Sequence, residues 1–111
     1  MSYIEYENLI VRAGNRESCL VAKVFAPEAT AEGDYKCQVE IFGIKSGGNS
    51  RIFGADSMQA MGLAIRFVNT MILTSEEFQQ GCIFVSAPHS EPEQVDKEYF
   101  LNSDPFPYSF H

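Results

Sequence analysis

The sequence predicts an α+β fold: an antiparallel sheet of four to five strands with one long amphipathic helix packed on one face. Three observations lead there. Along residues 35–44, Tyr35, Cys37, Val39 and Ile41 alternate with Lys36, Gln38 and Glu40, as a strand with one wet face requires. Along residues 58–72, apolar side chains recur at three- and four-residue spacing and draw a stripe down a helix. After residue 85 the composition shifts, and an irregular acidic and aromatic C-terminal tail follows.

Each element has its own cause. Residues 3–12, rich in Tyr, Ile, Leu and Val, form the first strand. Its alternation changes phase near Asn8: Ile4 and Tyr6 share one face, Leu9 and Val11 the other. A bulge, or burial of both faces at the far end, accounts for the switch. Ala13, Gly14, Asn15 and Arg16 make a turn. Residues 19–26 form a second strand stopped by Pro27, and residues 28–34 a loop. After the alternating strand, Ser46-Gly47-Gly48-Asn49 is a hairpin loop that returns into residues 50–53. Because Gly47 and Gly48 lead into a strand and not a helix, they lack the setting of a phosphate-cradling loop.

Asp56 and Gln59 have capping-box spacing and open the helix. Its expected stripe is Met58, Met61, Ala64, Ile65, Val68, Met71 and Ile72. A glycine inside a helix costs about 1 kcal/mol relative to alanine, so Gly62 is expected to mark a close approach to the sheet. Ser75 to Phe78 extends the helix or caps a last short turn, Gly81 ends it, and residues 82–86 form a final strand. Neither helix nor meander can bury its apolar side alone, so the two must pack together.

The junction Phe53-Gly54-Ala55-Asp56-Ser57-Met58-Gln59-Ala60 resembles that of a group of short, uncharacterised bacterial proteins with a Phe-Gly-x-Asp-Ser-x-Gln-Ala strand-to-helix connection. The resemblance extends over roughly residues 35–85 and rests on that one stretch. It implies a bacterial origin and the strand-to-helix connection, and no activity.

A chain of 111 residues, 45% hydrophobic, builds one domain with a real core. We place that domain at residues 1–85 and the tail, docked on it, at residues 86–111. Lys plus Arg number 8 and Asp plus Glu 15, for a formal charge of −7. The charge is uneven: residues 1–85 carry −3 and residues 86–111 carry −4. Such acidity excludes nucleic acid and anionic membrane as expected partners, since both need a positive surface. Two glutamates break the first seven residues, and no apolar stretch approaches the ~18 needed to cross a bilayer. A cytoplasmic protein is expected.

No catalytic, metal or cofactor set emerges. Cys19, Cys37 and Cys82 are widely spaced in apolar runs, without the close pairs that zinc sites use. Glu76 and Glu77 are adjacent on a helix and point apart, Ser57 beside Asp56 has no nearby histidine, and His89 lies among prolines and acids. The tail is the feature left over. Its aromatics either fold back on the sheet face that the helix leaves uncovered, or join its acids in a contact surface for a basic protein. The candidate partner-binding residues are Glu91, Glu93, Asp96, Glu98, Tyr99, Asp104, Phe106 and Tyr108. The expectation is a non-enzymatic immunity or inhibitor protein that neutralises a basic toxin or nuclease. The alternatives are a small structural or adaptor domain that acts through homo-oligomerisation, a homodimer included, by an uncovered sheet face or the aromatic tail, and an enzyme with an unrecognised site.

Overall fold

The computed structural model describes residues 2–101 and 108–110, with side chains over residues 2–100. It opens with a long hairpin broken once in each arm. The outgoing arm is β1 (Tyr3–Tyr6) and β2 (Leu9–Ala13); the returning arm is β3 (Arg16–Cys19) and β4 (Val21–Phe25). β2 pairs with β3 next to the turn, and β1 pairs with β4 beyond the break. At the break Asn8 adopts φ 61, a left-handed conformation that asparagine tolerates better than most residues. The Leu20 N–H donates to the Leu9 carbonyl at 2.9 Å and holds the arms together there. Glu7 and Asn8 step out of the ladder, and burial passes from one face at Ile4 and Tyr6 to both faces at Leu9, Ile10 and Val11. The phase change at Asn8 is therefore the point where one hairpin passes between two sheets. The architecture is α+β, with two antiparallel sheets in place of a single one.

β5 (Glu28–Ala29), within the stretch expected as a loop, lies beside β6 (Tyr35–Phe42) on the same side as β4. β7 (Gly48–Gly54) pairs along the other side of β6. The loop between β6 and β7 starts earlier than the glycine pattern suggests. Gly43 turns at φ 108, buried Ile44 pulls the chain inward, and Gly48 already pairs with Ile41.

α1 (Ser57–Leu73) lies across β4, β6 and β7. The Asp56 carboxylate accepts the Gln59 N–H at 2.8 Å, and Gln59 Oε1 accepts the Ala55 N–H at 2.6 Å. The buried stripe is Ala60, Ala64, Val68 and Ile72, joined by Asn69. Met58 is not part of it and is 85% exposed. Gly54 explains the rotation. A Cβ there would sit 2.4 Å from the Ala60 nitrogen, so strand and helix meet backbone to backbone and small Ala60 takes the inner position. The close approach expected at Gly62 is at Gly54 instead, since a Cβ on Gly62 would meet nothing within 4 Å.

Ser75 is buried and starts a separate short helix, α2 (Glu76–Gln79), by accepting the Phe78 N–H at 3.2 Å. The chain then forms β8 (Ile83–Val85), β9 (Glu93–Gln94), α3 (Lys97–Leu101) and β10 (Tyr108–Phe110). The second sheet has the order β3-β2-β8-β9, and β10 pairs with the outer edge of β1 in the first. Val95 and Phe100 belong to the same buried cluster as the strands. Phe100 packs on the helix side of the sheet, against Tyr6 and Phe78, and not on the open face that the tail aromatics were expected to cover.

Gly54→Ala is expected to lower stability by about 3 kcal/mol through backbone overpacking. Gly62→Ala, which has room, should raise it by about 0.5–1 kcal/mol. Urea unfolding midpoints of the two variants check both signs.

Candidate functional site

The tail carboxylates stand on a short, well-anchored stretch. Glu91 and Glu93 are exposed on the connection into β9, where Glu93 pairs with Val85 of β8. Val95 is buried, and its N–H donates to the Ile83 carbonyl at 3.1 Å. Asp96 caps α3: its Oδ1 accepts the N–H groups of Glu98 at 3.0 Å and Tyr99 at 3.3 Å. Glu98 points to solvent. None of these four carboxylates has an ion-pair partner among the described residues, whose ion pairs are Arg12–Glu17 and Lys45–Glu76. Tyr108 lies opposite Tyr6 in the β10–β1 ladder. Asp104 and Phe106 lie outside the described residues.

What holds this stretch is a buried amide. Asn69, 8% exposed on α1, donates from Nδ2 to the Phe100 carbonyl at 2.8 Å and accepts the Tyr6 hydroxyl on Oδ1. Phe100, 1% exposed, meets Tyr6 edge-on at 5.2 Å and Tyr99 edge-on at 5.2 Å. Tyr99 is half-buried, and burial pushes its hydroxyl pKa above the ordinary value. Tyr99 thus has a packing role as well as an exposed edge, and Asp96 a capping role. Sequence reasoning missed Asn69 because its polarity placed it off the apolar stripe.

The catalytic candidates are dispersed. Asp56 caps α1. Glu76 pairs with the Lys45 ammonium at 3.3 Å, and Glu77 Oε2 accepts the Lys45 N–H at 2.9 Å. His89 is exposed in a turn at φ 63. Cys19 is exposed and Cys37 buried, and burial raises the Cys37 thiol pKa, the reverse of nucleophile activation. Among the described residues no group of three or more His, Cys, Asp or Glu is placed to hold a metal ion, and no helix is long and apolar enough to cross a membrane.

A second surface is the face of the first sheet opposite α1, which the sequence predicts only as a sheet face left uncovered by the helix. Strand pairing assembles it from Lys23 and Phe25 on β4, Glu40 and Phe42 on β6, and Arg51 and Phe53 on β7. Phe42 is 49% exposed and Phe53 51%. The alternation on β6 marks its wet residues, but no local pattern tells which side chains of β4 and β7 stand beside them.

Against known proteins, residues 8–93 match the model of a family described as a domain of unknown function, DUF6968. No curated protein and no solved structure matches the chain.

Two outcomes follow from the buried cluster. Tyr6→Phe should cost about 1–3 kcal/mol, because it leaves Asn69 Oδ1 without its donor in a dry site; denaturant unfolding measures it. The raised Tyr99 pKa means that its contribution is fully present below the ordinary value of 10.0 and is lost as pH climbs through the folded-state value. Unfolding midpoints measured from neutral to alkaline pH should therefore fall less steeply in Tyr99→Phe than in the wild type.

Proposed function

The chain belongs to the family of the domain of unknown function DUF6968, and we propose that it is a non-enzymatic binding protein of the inhibitor or immunity type, which neutralises a basic toxin or nuclease. The observation that carries this reading is the anchored acidic stretch. Glu91, Glu93 and Glu98 are exposed and unpaired among the described residues, on backbone fixed by buried Val95 and Phe100. Carboxylates held this way lose little freedom on binding, so more of their attraction to a cation is kept. A nuclease cleft is positive because its substrate is negative, and an acidic surface can occupy it in place of phosphate. The exposed edge of Tyr99 adds aromatic contact area beside the charges.

The test is capture from a lysate of the native host, together with co-expression beside the products of neighbouring genes. The wild type should retain a basic protein and protect cells from it. The triple variant Glu91→Gln, Glu93→Gln, Glu98→Gln should bind it at least about tenfold more slowly, with a flatter dependence on salt. Failure to capture any basic partner, or capture that the triple variant leaves unchanged, would overturn the reading.

A further inference from the structure

We infer that the open face of the first sheet is a self-association surface and that its occupant is a second copy of this chain. The charges on that face choose this partner. Across the strands, Lys23 on β4 stands directly opposite Glu40 on β6, and Glu40 opposite Asn49 on β7. Yet Lys23 and Glu40 are not an ion pair: the Lys23 ammonium lies over the Tyr3 ring, 4.6 Å from its centroid. Glu40 has no ion-pair partner among the described residues. The face thus sets Lys23 between two carboxylates, Glu5 of β1 and Glu40 of β6, beside Val21 and Phe42, which is 49% exposed.

Two copies meeting at the same patch obey two-fold symmetry, so each residue faces the residue that its own image selects. An axis through β4 would set Lys23 against Lys23, and one through β6 would set Glu40 against Glu40. An axis across the strands at Lys23 again opposes like charges. An axis near the strand direction crosses opposite charges either between β1 and β4, with Lys23 of each copy over Glu5 of the other, or between β4 and β6, with Lys23 over Glu40. We take the second, which lies beside exposed Phe42. It also brings Phe42 over Val21. This is the aligned packing of two sheets, whose strands cross at about 30°. Burying exposed Phe42 supplies the apolar gain, and the crossed charges fix the register.

The symmetry gives a test independent of contacts within one chain. By analytical ultracentrifugation of the full chain, the wild type should dimerise, while Lys23→Glu and Glu40→Lys alone should each weaken the dimer by at least about a hundredfold. Mixed in equal amounts, these two variants should form a heterodimer, because both crossed contacts then pair opposite charges. Each mutant chain keeps its own like-charged neighbours in the mixture, so relief inside a chain cannot produce that result. Phe42→Asp, at an exposed position, should also be monomeric with unchanged circular dichroism. A wild type that stays monomeric up to about 1 mM, single variants that dimerise normally, or a mixture that stays monomeric would each overturn the inference.

Discussion

The two hydrogen bonds of the Asn69 side chain tie together parts of the chain that lie far apart in the sequence. Its carbonyl takes the Tyr6 hydroxyl from the first strand, and its amide holds the Phe100 carbonyl of the last helix. An amide buried without partners costs several times what a typical satisfied one contributes. The helix can therefore bury this face only when β1 and α3 are both in place. Phe100 then seals the site with edge-on contacts to Tyr6, Tyr99 and Phe78. The position of the acidic stretch is a result of that closure.

At the other end of α1, contact is made by backbone instead of side chains. Gly54 and Ala60 touch where β7 hands over to the helix, and the Asp56 cap sets the entry angle. A side chain at Gly54 would push the helix away and expose Ala64 and Val68. The polar anchor near Phe100 and the close approach at Gly54 fix the two ends of one helix on one face of the sheet.

Local rules made much of this legible. Alternation identified β6, spacing identified α1, and Asp56 and Gln59 marked its start. The phase change at Asn8 was visible too, but its meaning required the pairing of β2 with β8, two segments far apart in the chain. Met58 was assigned to the stripe because periodicity alone cannot choose between adjacent apolar arcs, and Gly54 decided the matter. Asn69 was illegible for the opposite reason: a polar residue looks exposed until its partners are known. The acids from Glu91 to Glu98 were evident from composition, whereas the division of labour between the Asp96 cap and exposed Glu98 depends on α3. That one sheet face is left by the helix was legible, but not which side chains compose it, because register across the strands decides that.

The broken hairpin also bears on how the molecule is assembled. Its two arms are joined by a turn at Gly14 and Asn15, so their ends meet by a short loop closure, a microsecond event in peptides of this size. That single closure lays down adjacent strands of both sheets, with the kink at Asn8 already setting the angle between them. The distant pairings, β2 with β8 and β1 with β10, then add to templates whose register is fixed. A topology with many long-range contacts would ordinarily fold slowly. Here one local structure seeds two sheets, and the search for the remaining strands is an addition to an existing edge.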